Sequence, residues 1–181
     1  MIIKKYGEYD ITKLKFIGKG MQGSVYKIDD NKCIKIFESE KICKQEVDTL
    51  NMAQGNPHFP RIFSWGKNFI VREYVDGIEL DKYLKENPLT LDLSEKMVRL
   101  YEAMVEVGYK RCDAILFHIF LTKDGSLRMI DTARMMKKTV VYPKIMMEEL
   151  DKLGYKDIFL SHVKMLRPSL YELWKHNKQI L

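Results

Sequence analysis

The residue types and spacings best suited to chemistry fall in three stretches of the chain. In the first, Gly18, Gly20 and Gly23 form a G-x-G-x-x-G run that leads into Ser24 and Val25. Glycine has no Cβ, so backbone amides along such a run can come close to phosphate oxygens. A dinucleotide fold would need a helix straight after the glycines. Here Val25-Tyr26 continues in strand pattern, so the run reads as a hairpin lid over a nucleotide, although a hairpin tip without a ligand would look similar. In the second stretch, Lys35 lies between Ile34 and Ile36. On a strand its side chain takes the face opposite both, where it meets either water or the phosphates of a bound nucleotide. In the latter case it needs an anionic partner. Glu46 is preferred over Glu38 and Glu40 because Leu50, one helical turn later, would pack behind the ion pair. The third stretch runs from Asp113 to Asp131. An acid just after an apolar helix and another just after an apolar strand suit a general base and a metal ligand facing one pocket. Taken singly, each would also serve as a turn or capping aspartate.

Regular elements must position these groups. Leu14-Lys15-Phe16-Ile17, Ser24 to Ile28 and Cys33 to Phe37 are rich in β-branched and aromatic residues and read as strands. Asp29-Asp30-Asn31 forms a turn between the second and third. From Lys41 to Ala53 the period changes, and Ile42, Val47, Leu50 and Ala53 share a helix face that Gly55-Asn56-Pro57 ends. Arg61 to Trp65 and Phe69 to Tyr74 form a hairpin around Gly66-Lys67-Asn68. After Gly77 helices dominate. Leu80, Tyr83 and Leu84 mark a short one. Leu93, Met97, Leu100, Met104 and Val107 line a longer one, which Asp92 and Glu95 open and Gly108 closes. Ile119-Phe120-Leu121 and Leu127 to Ile130 flank a hairpin turn at Lys123-Asp124-Gly125-Ser126. Pro143, Gly154 and Pro168 punctuate two or three terminal helices, on which Trp174 is expected to face inward. Strands first and helices later indicate an α+β chain in two lobes, 1–76 and 77–181, with the boundary near Val75-Asp76-Gly77.

Composition bounds the function. With 46% apolar and 31% charged residues, the 181-residue chain is globular rather than disordered or fibrous. No apolar run approaches the roughly 20 residues of a membrane span, and the first residues lack the apolar core of a signal peptide. A cytoplasmic protein is expected. Cys33, Cys43 and Cys112 are odd in number and lack CxxC spacing, which fits reduced thiols. The net charge of +6 favours anionic partners such as nucleotides, acidic proteins or nucleic acid. The terminal lysines, however, alternate with Glu148, Glu149, Asp151, Asp157 and Glu172, which suits a solvated helical surface better than nucleic-acid binding. His58, His162 and His176 show no metal-ligand spacing.

The order of these parts resembles a protein kinase, in particular the minimal bacterial or RIO-like members of that superfamily. Gly18, Gly20, Gly23 and Val25 resemble the glycine loop. Cys33-Ile34-Lys35 is similar to the family's strand lysine segment, with Cys33 in a small adenine-contacting position. Glu46 resembles the helix glutamate that pairs with the lysine. Glu73-Tyr74-Val75-Asp76-Gly77 resembles the hinge that hydrogen-bonds adenine, with Glu73 and Val75 as its nucleotide contacts. Asp113 stands where the family has its catalytic aspartate, and Asp131 where it has its magnesium aspartate. The resemblance implies a two-lobed fold: an antiparallel β-sheet N-lobe with one helix, and a truncated, mainly helical C-lobe. It also implies ATP and Mg or Mn as cofactors. Catalysis would fall to Lys35 and Asp113, and metal binding to Asp131 and His118.

The departures are equally specific. Arg111-Cys112-Asp113 lacks the His and Arg of the family's HRD triplet. Ile115 replaces a lysine, and His118 replaces a metal-binding asparagine. An imidazole suits softer ions better than magnesium. Thr132-Ala133 replaces the family's Phe-Gly. Arg72, just before the hinge, puts a cation where an apolar residue is usual, unless it instead turns outward or pairs with an acid. Few residues follow Ala133, and none forms an Ala-Pro-Glu element, which argues against docking of an extended peptide. Two functions are therefore expected to compete. One is a slow phosphotransferase acting on Ser/Thr or a small hydroxyl compound. The other is a pseudokinase that presents a nucleotide-responsive or empty cleft to a protein partner. A RIO-like nucleic-acid- or ribosome-associated ATPase is a further alternative.

Overall fold

A computed structural model describes residues 5–178. Over these residues the chain is α+β, with antiparallel sheets and six helices, compatible with a small kinase-like fold. Internal contacts divide it into two compact units. One is Met1–Val75 together with Asp131–Arg134; the other is Asp76–Ile130 with Met135–Leu181. Residues 131–134 thus group with the first unit, where Asp131 and Thr132 contact Lys35 and Thr49.

The first unit opens with a short hairpin, β1 (Lys5–Tyr6) and β2 (Tyr9–Asp10), turned at Gly7 with φ +60°. The strand pattern did not announce it. A five-stranded antiparallel sheet follows, built from β3 (Lys15–Gly20), β4 (Gly23–Lys27), β5 (Lys32–Phe37), β6 (Ile62–Trp65) and β7 (Phe69–Glu73). Their order is β3-β4-β5-β7-β6, so β5 is central and buried on both faces. Between β5 and β6 runs helix α1 (Glu40–Met52). The Oγ of Ser39 accepts the Ile42 amide at 3.4 Å, and Glu40 complements the helix N-terminus. Cys43, Val47 and Leu50 recur at helical spacing on the buried side. Phe37, Cys43, Val47 and Ile70 form the cluster that seats α1 on the sheet.

The second unit holds β8 (Gly77–Glu79), α2 (Leu80–Glu86), α3 (Leu91–Glu106), β9 (Ile119–Thr122), β10 (Leu127–Met129), α4 (Lys144–Lys152), α5 (Lys156–Leu166) and α6 (Pro168–Lys178). The three strands pair antiparallel in the order β10-β9-β8. The cap of α3 is Thr90, whose Oγ1 accepts the Leu93 amide at 3.2 Å. Asp92 lies inside the first turn, and Glu95 instead bonds Arg99 one turn on. The β9–β10 turn is held by Asp124, which accepts from Thr122 Oγ1, Ser126 N and Ser126 Oγ. These bonds pull its carboxyl down to about 2. Trp174 is 1% exposed and packs edge-on against Tyr101, with ring centroids 5.0 Å apart. Among the described residues, no helix is long and apolar enough to cross a membrane.

All three cysteines are free and buried. Burial pushes Cys43 and Cys112 up to about 11 and also raises Cys33. Only the thiolate reacts with alkylating agents, and its fraction falls tenfold per pH unit below the pKa. In the native protein at pH 8, a thiol reagent is therefore expected to leave all three cysteines largely unmodified on the timescale in which they react fully in denaturant. Timed labelling followed by mass spectrometry checks this.

Candidate functional site

Strand alternation on β5 places Cys33, Lys35 and Phe37 on one face and Ile34 and Ile36 on the other. The register puts Val25 of β4 and Ile70 of β7 opposite Lys35, and Arg72 opposite Cys33. Directly opposed residues share a face, so Val25, Cys33, Lys35, Ile70 and Arg72 lie together on the side covered by α1. There Lys35 is 7% exposed. Its Nζ lies 2.5 Å from Glu46 Oε2, 3.6 Å from Asp131 Oδ2 and 3.5 Å from Gln22 Oε1, and it sits over the Phe37 ring. Of the rival acids, Glu38 pairs with Lys19 on the surface, and Glu40 belongs to the first turn of α1.

Glu46 is fully buried. Burial raises its pKa, and the Lys35 and Arg72 charges oppose that rise. Its Oε1 has no hydrogen-bond partner. Asp131 reaches Lys35 because the next residue anchors the segment: Thr132 Oγ1 lies 2.8 Å from Thr49 Oγ1, and both residues are buried. Thr49 stands three residues after Glu46 on the same side of α1. One helix therefore supplies the carboxylate for Lys35 and the hydroxyl that holds the Asp131 segment. Sequence reasoning missed Gln22, Thr49 and Thr132. The helical spacing of Thr49 from Glu46 was the one available signal.

The glycines of the β3–β4 hairpin differ in kind. Gly23 has φ +152°, and a Cβ there would lie 1.8 Å from the Ile36 carbonyl oxygen, so backbone approach to β5 demands glycine. A Cβ on Gly18 or Gly20 would meet nothing within 4 Å. These two leave open space where the chain itself does not need it. On the same sheet, the Glu73 carbonyl accepts from Cys33 Sγ at 3.7 Å and from Arg72 Nη1 at 3.2 Å. Arg72 neither turns outward nor forms an ion pair; it is 4% exposed. Val75 is buried, and the Tyr74 amide before it bonds Asn31 O.

Asp113 and His118 belong to the second unit. Asp113 is 3% exposed, and its two carboxylate oxygens accept the amides of Ile145 at 3.0 Å and Met146 at 3.2 Å, in the first turn of α4. Arg111 lies 3.9 Å away. Burial raises the Asp113 pKa, and the two amide bonds counteract it. This geometry is that of a helix-capping carboxylate. Glu149 likewise accepts the Leu116 amide at 2.6 Å, tying the segment after Asp113 to α4. His118 ends a short 3-10 turn, its ring against Phe117.

The donor set around Lys35 fits the phosphates of a nucleoside triphosphate: a held ammonium, a lid with open glycines and one adjacent carboxylate. A hard divalent ion is commonly held by one or two carboxylates plus substrate phosphates and water, and Asp131 is the carboxylate beside Lys35 that could serve as one. Among the described residues, no group of three or more His, Cys, Asp or Glu side chains is placed to hold a metal ion.

No protein-family model matches the chain. The chain is 26% identical over 148 residues to a Bacillus subtilis (strain 168) protein named putative serine/threonine-protein kinase YrzF. The match covers 74% of this chain and 67% of that protein. At this identity it supports a kinase-like relationship and nothing finer.

Removing one partner of a buried ion pair strands the other, at about 3–5 kcal/mol, whereas replacing both with apolar groups of similar size is close to neutral. Glu46→Ala is thus expected to destabilise by about 3 kcal/mol. The double variant Lys35→Met/Glu46→Met should recover most of that loss in chemical denaturation. Gly23→Ala is expected to lower the melting temperature sharply, whereas Gly20→Ala leaves it near the parent value.

Proposed function

We propose that the protein binds a nucleoside triphosphate on the Lys35 face of the sheet and acts as a kinase-type phosphotransferase of low activity. The observation that carries this reading is the buried Lys35, held between Glu46 and Asp131 beneath a glycine hairpin. Glu46 fixes the Lys35 ammonium so that it can neutralise phosphate charge without moving. Gly18 and Gly20 let backbone amides approach the phosphates, and Asp131 offers oxygen to a Mg or Mn ion. Bound nucleotide, ATP by the resemblance, supplies the transferable phosphoryl group. Most of the acceleration in such transfers comes from positioning and electrostatics. On this reading the chain adopts the two-lobed kinase arrangement, with Asp113 taking up the proton of an acceptor hydroxyl and His118 near the ion. The acceptor is a Ser/Thr side chain or a small hydroxyl compound.

A second reading rests on Asp113. A carboxylate that caps α4 with both oxygens is engaged in structure, which favours a pseudokinase that binds nucleotide and presents a surface to a protein partner. The two readings separate cleanly. With Mg or Mn present and γ-labelled ATP and GTP supplied in parallel, the phosphotransferase should label itself or an added hydroxyl acceptor. Asp131→Ala should then abolish transfer. Asp113→Asn keeps one α4 amide bond and sets its NH2 against the other, so it should lower the melting temperature, and at a temperature where it is still folded it should slow transfer by about 100-fold or more. A nucleotide-induced thermal shift, about 2.7 kcal/mol at 100 times the dissociation constant, with no transfer, establishes the second reading. Neither shift nor transfer with either nucleotide overturns both.

A further inference from the structure

Arg72 is the unexplained cation of the first unit. It occupies β7 opposite Cys33, on the face that carries Lys35. It is 4% exposed, yet its Nε has no hydrogen-bond partner, and its Nη1 turns to the carbonyl of the next residue, Glu73. A guanidinium has five N–H donors and no acceptor. Leaving such a donor desolvated and unpaired is costly, so the position suits a ligand that brings an acceptor. Its charge reaches Glu46 electrostatically, but Glu46 Oε1 also lacks a hydrogen-bond partner, so the two groups do not satisfy each other.

Cys33 precedes Lys35 by two residues on one strand, a separation of about 7 Å. If phosphates sit at Lys35, as the proposed function holds, a nucleotide extended along the strand brings its base to Cys33 and Arg72. Two features decide which base edge fits. The Glu73 carbonyl, the acceptor at this end, already receives Cys33 Sγ and Arg72 Nη1. Beside it, the Arg72 Nε–H is a buried donor without a hydrogen-bond partner. An exocyclic amino group would meet donor against donor, whereas an exocyclic carbonyl oxygen would meet its complement.

We propose that Arg72 makes this a site for nucleotides with a keto base edge, guanine or hypoxanthine, in preference to the amino edge of adenine. The inference rests on the nucleotide-binding reading and adds the base class and the residue that sets it. Sites built to hydrogen-bond a specific group discriminate strongly against analogues lacking it.

The test uses the full chain and calorimetric titration with ITP, GTP and ATP. ITP differs from ATP in carrying a carbonyl oxygen in place of the amino group, with N1–H in place of an acceptor N1. ITP and GTP are expected to bind about tenfold or more tightly than ATP. Arg72→Met should erase or reverse that order while leaving the melting temperature close to the parent's. ATP binding as tightly as ITP and GTP to the parent protein overturns the role of Arg72 and leaves the nucleotide-binding reading standing. So does an unchanged order in a folded Arg72→Met variant. Binding of none of the three overturns the nucleotide-binding reading itself and this inference with it. The comparison on the parent protein decides the matter even if the variant does not fold.

Discussion

A lysine ammonium removed from water must be surrounded by anionic or polar oxygen, and that requirement organises the first unit. Lys35 sits on the central strand of the five-stranded sheet, where neither face is open to solvent. Its charge is tolerable only because α1 brings Glu46 to 2.5 Å, the β3–β4 turn brings Gln22, and a segment distant in sequence brings Asp131. Each contact comes from a different element, so strand, helix, hairpin and segment 131–134 are held to one geometry by one buried charge. Apolar packing by Phe37, Val47 and Ile70 supplies the bulk of the attraction between helix and sheet. The ion pair adds register, since a helix rotated by one residue would bury Glu46 away from its partner.

Two aspartates of the same chemical type are put to different uses. Asp131 keeps a carboxylate oxygen beside Lys35, while its Oδ1 accepts the Ala133 amide at 3.4 Å. Asp113 has both oxygens committed to the first turn of α4. The short link from Ala133 to α4 explains the second arrangement. The chain returns at once to the Asp113 segment: the Arg111 amide bonds Met135 O, and the Cys112 amide bonds Val140 O. With so little chain in between, the N-terminus of α4 falls where Asp113 can reach it, and free amides at a helix start draw in the nearest carboxylate.

Two side chains near Lys35 have settings that short-range pattern does not explain. Thr132 makes a hydroxyl contact with Thr49, which ties the Asp131 segment to α1 by a polar contact. Arg72 folds back on the Glu73 carbonyl through Nη1 and leaves its buried Nε without a partner. Nothing in the structure accounts for Ile115.

Much of the local architecture was written in short-range pattern. Alternation on β5, the helical stripe of α1, the Asp124-Gly125 turn and the glycine hairpin all depend on period, turn chemistry and the absence of a Cβ, which act within a few residues and so read directly from the chain. The Lys35–Glu46 pairing was legible for the same reason, since one strand and the next helix limit the choice of acid. The hairpin at Gly7, the cap at Thr90, the link between Thr49 and Thr132, and the inward turn of Arg72 were not. Sequence alone settled which residues are able to form strands, helices and turns, and which side chains have the chemistry to matter. Only tertiary structure decided which aspartate meets the lysine and which caps a helix, because carboxylates are interchangeable in pattern and differ only in the donors that packing brings within about 3 Å of them.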